Sequence, residues 1–428
     1  MTRPLLALLL LAPAATAQSG RSYGPGRIWW DAGQDGVLPW DESYDNPDGL
    51  VGILNVKGAV HTADHPFFTP LGSNGRACIT CHQPANAMSV SAASLRERWE
   101  QTRGKDPVFA AIDGSNCPDL PQADPKSHSL LLDRGLFRIE LAWPPAGVTP
   151  EFKIEVVRDP TGCNKRSDAI SVYRRPRIAA NLSYVVAGRQ GFHFMADGRE
   201  PSLESQAASA IRIHEQAATP PSREQLALIV DFESQVYTAQ FADVRAGLLG
   251  EKNGPAMLGP DNLAAGKLNS LEYGAPFDSF WRKPEAVGVQ AEFRASVARG
   301  SDIFFERKLN ESYTCGSCHS TVASQIAAIV TNTSERGGLE ELPLFRVTCD
   351  SGRIIHTQDP GRALITGKCS DVGLIVRQQL RGLAARAPYF SNGRARTLRD
   401  VVDIYERMLR IGFSESEKED LVNFLRVL

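Results

Sequence analysis

The sequence predicts a mainly α-helical protein in two halves, each organised around one Cys-x-x-Cys-His motif, with a small β-hairpin inserted in the first half. Three observations predict it. Apolar residues recur at helical spacing in both halves. The two motifs stand at 78–82 and 315–319. Two runs of alternating apolar and polar residues flank a Pro/Gly loop at 144–147. The 428 residues are 42% hydrophobic and 22% charged, which excludes collagen-like, disordered and polytopic membrane classes. Lys+Arg of 47 against Asp+Glu of 49 leaves no basic excess, so nucleic acid is not an expected partner.

The elements follow in chain order. Residues 1–17 place Arg3 before a leucine run and close on Ala15-Thr16-Ala17, the pattern of a secretory signal peptide. Its apolar run is too short to span a bilayer, and no later stretch approaches membrane length. The mature chain is therefore expected to begin near Gln18 and to be periplasmic, without stable membrane insertion, where disulfides can form. Residues 18 to about 75, rich in Gly, Pro, Asp and Trp, read as an irregular segment. A charged helix, SAASLRERWEQT, follows the first motif.

From Phe137 the period changes. Phe137, Ile139, Leu141 and Trp143 alternate, Pro144-Pro145-Ala146-Gly147 breaks the chain, and Phe152, Ile154 and Val156 alternate again. That pattern predicts the hairpin. Ser222 with Gln225 forms a capping box for a helix carrying Leu226, Ile229, Val230, Val236 and Tyr237. A helix around Ala295–Phe305 precedes the second motif, and Ser416 with Glu419 is expected to cap the last helix. The expected division is a first domain at 18–285, with an insert at 116–178, and a second at 286–428.

The motifs carry the chemistry. Cys78, Cys81 and His82, and again Cys315, Cys318 and His319, have the spacing for c-type haem. Two thiols add to the vinyl groups of one haem and the adjacent His becomes the proximal iron ligand. Composition alone would give on the order of 0.003 such matches in the chain. A zinc site would want a further Cys or His pair nearby, and a redox dithiol has no use for the His. Two covalently bound haem c groups are the expected cofactors. Of the other cysteines, Cys117 with Cys163 and Cys349 with Cys369 are the natural disulfides, cross-pairing and free thiols remaining open.

Longer stretches resemble a family. LRGLAARAPYFSNGRARTLRDVVDIYERM (380–408) and MADGREPSLESQA (195–207) are similar to signatures of the bacterial di-haem cytochrome c peroxidases and their MauG-like relatives. DPGRALITGKCSDVG and ARGSDIFFE…CGSCHS also fit, and the resemblance covers roughly 66–115 and 178–428. It implies two cytochrome c-like domains, each around one covalent haem. It also implies peroxide-dependent oxidoreduction: hydrogen peroxide as substrate at the first haem and a small redox protein as electron donor through the second. A MauG-like oxidation of a partner protein's residues and a non-catalytic electron-transfer cytochrome are the alternatives. A calcium ion between the domains is a further family expectation, without assignable ligands.

Residue by residue, the resemblance makes Glu204 the distal acid of the first haem and Tyr184 an aromatic relay between the haems. Taken alone, Glu204 also fits a surface carboxylate and Tyr184 a core tyrosine. Tyr405, fourteen positions after Ser391, stands at the sixth-ligand position of the second haem, where peroxidases carry Met and MauG-like members Tyr. Met408 is the fallback ligand. A tyrosine oxygen favours ferric iron, whereas Met raises the potential. The chain departs from the peroxidase pattern at Phe194 (a distal Gln), Ala196 (an aromatic) and Ser391 (a His). No His stands sixteen positions after His82, where Arg98 is, so the first haem is expected to be open. His193 could enter that pocket.

Overall fold

The computed structural model describes residues 28–186, 194–251, 254–266, 281–282, 287–309, 313–319, 326–328 and 338–428. Residues 1–17, read above as a signal peptide, and His193 lie outside them. Among the described residues the chain mixes helices with thirteen strands in five sheets. This corrects the expected mainly α fold of two cytochrome c-like domains.

Much of the difference arises in the N-terminal stretch expected to be irregular. Asp41–Asn46 and Gly49–Asn55 form an antiparallel hairpin across Pro47-Asp48, in register from Asp41↔Leu54 to Asn46↔Gly49. Gly49 has φ +143, and a Cβ there would come within 2.3 Å of the Ala242 carbonyl, so both turn and sheet require glycine. Gly49–Asn55 pairs next with Val236–Asp243. Val236 and Tyr237, expected on a helix, instead begin this strand. The helix Arg223–Gln235, capped by Ser222 with Gln225 as expected, stops at Val236, where ψ turns to 129. The β-branched and aromatic residues Val236, Tyr237, Thr238 and Phe241 suit a pleated, buried surface.

The inserted hairpin is also corrected. Both strands exist, but they do not pair with each other. Phe137–Ala142 pairs with Ala169–Arg174, whereas Phe152–Arg158 pairs with Leu344–Cys349, which in turn pairs with Ile354–Thr357. The insert is thus woven into the second half of the chain. The disulfide Cys117–Cys163 closes the insert on itself, and Cys349–Cys369 ties the end of its partner strand, with Cα–Cα distances of 5.4 and 5.8 Å. Both are the expected pairs.

Around the second motif, the helix Val289–Glu306 packs on the last helix, Glu415–Arg426. A Cβ on Gly300 would come within 2.0 Å of the Asp420 carbonyl, so the two backbones nearly touch. The last helix starts two residues earlier than expected, with Ser414 and Glu417 as its capping box. That start puts Glu415 and Glu417 in the first turn, where the helix dipole favours negative charge. Each motif borders its own apolar cluster. Ile79, Met88, Phe67 and Phe232 form the first; Phe304, Leu421 and Phe424 form the second, with Cys315 against it. Ala385 belongs to the first cluster and Leu383 to the second, so the segment around 383–385 touches both. No helix among the described residues is long and apolar enough to cross a membrane.

Candidate functional site

The first motif coils tightly. Cys78–Thr80 is a 3-10 turn, and the His82 amide donates to the Cys78 carbonyl at 3.1 Å. Gln83 locks the turn from behind: its amide donates to the carbonyls of Trp30 (3.0 Å) and Ile79 (2.7 Å) and its oxygen accepts from the Trp30 amide. Cys78, Cys81 and His82 line one partly enclosed cavity of about 190 Å³. The facing helix, Leu203–His214, contributes Gln206, Ala207, Ala210 and His214. These positions share one helical face, and the two alanines leave its middle open. Phe137, Ile139, Leu182 and Phe194 supply apolar wall.

The titration states follow from burial. Both thiols are free of disulfides, and burial pushes Cys78 well up and Cys81 up to about 12, so both stay protonated. Burial keeps His82 below its ordinary value, and its Nδ1 lies 3.0 Å from the Met88 carbonyl. Two carboxyls also line the cavity. Burial raises Glu215 to about 7, while the Leu71 amide donates to its Oε2 at 3.0 Å. Burial raises Glu233 to about 8, and its Oε2 has no hydrogen-bond partner.

Arginines form the opposite wall. Arg174 pairs with Asp197 (2.6 Å) and Asp359 (2.6 Å), so the DGR motif supplies the buried carboxylate that holds it. Arg175 donates only to carbonyls, those of Arg134, Val90 and Arg386, and burial lowers it to about 9. Arg177 donates to the carbonyls of Val376 and Arg377, both at 2.6 Å. The chain there runs on to the second motif: Gln378 and Gln379 line the first cavity, while Arg377 donates to the Cys318 carbonyl.

The second motif is the short helix Cys315–His319, whose start is tied by Thr314 Oγ1 accepting from the Ser317 amide at 3.1 Å. Burial, then the Arg377 charge, lower His319 to about 4. Burial raises the Tyr405 phenol to about 12, with a further push from the Cys315 and Cys318 thiols, so Tyr405 lies beside this motif. Met408 is 38% exposed near the end of the helix Leu398–Leu409. Three residues apart on one helix, Met408 and Tyr405 share a face, but Met408 stands one position from the helix end and is exposed. Residues 310–312 and 320–325, which flank the motif, lie outside the described residues.

Other expected residues are placed differently. Glu204 is exposed in the first turn of Leu203–His214 and lines a separate recess with Arg223 and Asp231. Tyr184 does not line the cavity; its hydroxyl donates to the Leu263 carbonyl and its ring packs edge-on against Tyr237 at 6.2 Å. Among the described residues no group of three His, Cys, Asp or Glu side chains could hold a metal ion. Sequence reasoning missed Arg76, Asp113, His214, Glu215 and Glu233. Of these, only Glu233, a carboxylate four positions after Ile229 on an apolar face, left a trace in the pattern.

No family model matches the chain, and no curated protein matches it. Among solved structures it is similar to a MauG-like protein associated with microbial copper homeostasis, at 16% identity over 60% of this chain and 76% of that one, with a TM-score of 0.34.

Proposed function

We propose that the protein is an exported di-haem c-type oxidoreductase that reduces hydrogen peroxide with electrons passed through its second haem from a small redox protein. The observation that carries this reading is the cavity where Cys78, Cys81 and His82 meet two carboxyls that retain protons near neutral pH. The residues fit a covalent haem. The thiols are free of disulfides, as thioether formation requires, and the Met88 carbonyl at His82 Nδ1 fixes the ring, so that the other ring nitrogen would hold the iron. When bound, haem supplies an iron that binds the peroxide oxygen and a macrocycle that stores oxidising equivalents.

The chain's own residues do the rest. Phe137, Ile139 and Phe194 give the cavity an apolar wall, and Glu215 and Glu233 hold protons inside it. Arg175, bonded only to carbonyls, offers a buried positive charge to the haem carboxylates. At the second site Cys315, Cys318 and His319 hold the other haem. Tyr184, edge-on against Tyr237, is the aromatic pair available to an electron passing between the sites.

A second reading, oxidation of a partner protein's side chains, is favoured by Tyr405 lying beside the second motif while Met408 faces solvent. A phenolate ligand stabilises oxidised iron. Peroxide consumption driven by a reduced small cytochrome tests the first reading: sustained turnover supports it, and none refutes it. A mass change in a co-incubated protein with peroxide, without cytochrome oxidation, transfers the assignment to the second.

A further inference from the structure

We infer that His214 is the acid–base residue of the first cavity, held in place by Asp113 and Arg76; the inference rests on the oxidoreductase reading above. His214 closes the helix Leu203–His214 and lines the same cavity as Cys78, Cys81 and His82. Its Nδ1 stands 2.6 Å from Asp113 Oδ2. An ionised carboxylate can only accept, so Nδ1 carries the hydrogen, and in the neutral imidazole Nε2 presents a lone pair.

Asp113 is buried and is itself clamped. Its Oδ1 accepts from Arg76 Nη1, while Arg76 Nε and Nη2 donate to the carbonyls of Pro107 (2.6 Å) and Val108 (2.7 Å). Burial alone would protonate Asp113, but the Arg76 charge and the His214 bond outweigh it and keep it ionised. An ionised carboxylate behind an imidazole fixes its tautomer and its orientation. The imidazole is 28% exposed, so it faces the cavity and still exchanges protons with solvent. Gln206, Ala207 and Ala210 precede it on the same face, and the alanines leave space in front of the ring. Glu204, on the same helix, faces away from this cavity.

The step is balanced as H₂O₂ with two electrons and two protons giving two waters, the electrons coming from the reduced donor protein. His214 Nε2 accepts the proton of one peroxide oxygen and returns it to the other as the O–O bond breaks, so that the departing oxygen leaves as water. The second water takes its protons from solvent.

Cyanide binding to the haem-loaded full chain tests this without turnover, because HCN is protonated at neutral pH and binds ferric iron as the anion. His214→Gln is expected to slow both cyanide association and the peroxide reaction by about 100-fold, with haem content and the ferric spectrum unchanged. His214→Gly is expected to lose the same factor and to regain much of it with added imidazole. Unchanged rates in both variants overturn the inference. A changed spin state in the ferric spectrum also overturns it, since His214 would then be an iron ligand. A wild-type chain without covalent haem overturns the functional reading itself, whereas haem-loaded wild type with unaffected variants overturns the role of His214 alone.

Discussion

Replacing Glu233 by glutamine is expected to stabilise the protein, and to do so increasingly as pH rises. The carboxyl is buried, one oxygen has no hydrogen-bond partner, and burial raises it to about 8 from an unfolded value of 4.5. A folded value above the unfolded one means that the native state binds the extra proton between those limits. The stability this confers is complete below pH 4.5 and is lost as pH rises toward 8. Glutamine has no such dependence. At 1.36 kcal/mol per unit, the wild type falls behind the variant by about 3 kcal/mol between pH 5 and pH 8. Guanidinium titrations of haem-loaded protein at pH 5, 6, 7 and 8 measure it, and every other titrating group cancels in the difference. Parallel stability–pH curves for the two proteins would refute the burial argument and, with it, the picture of Glu233 as a proton store.

Other expectations are more local. Tyr405→Phe is expected to alter the ferric absorption and electron paramagnetic resonance signals of the second haem, whereas Met408→Leu, at an exposed position, leaves them unchanged. Glu204→Gln is expected to leave the peroxide rate within twofold of wild type, because its side chain is outside the cavity; stopped-flow mixing with peroxide measures this. Replacing both Cys117 and Cys163 by serine removes a link across 46 residues, which by loop entropy costs about 4 kcal/mol in denaturant unfolding.

The sequence was informative wherever the physics is local. Thiol spacing placed Cys78, Cys81 and His82 on one turn, and Ser222 with Gln225 capped the helix at that point. Alternation at Phe137 and Phe152 marked two strands. Alternation fixes which face of a strand is buried but not its partner, and Phe152–Arg158 found its partner in Leu344–Cys349. The Asp48-Gly49 dipeptide was a turn signal hidden among other glycines and prolines. The motif around Glu204 set its place in the chain without setting which way the helix turns, and that rotation brings Gln206 and His214 to the cavity instead. Asp113 and His214 lie 101 residues apart, and only the tertiary fold makes them a pair.

The central claim is that each Cys-x-x-Cys-His motif holds one covalent haem. A pyridine haemochrome assay on the purified mature protein, with Cys78→Ala/Cys81→Ala and Cys315→Ala/Cys318→Ala as paired controls, tests it most directly. The account predicts two c-type haems per chain in the wild type, one in each double variant, and none extractable by acid acetone. A wild-type value of one or none, or haem that the solvent removes, would contradict it.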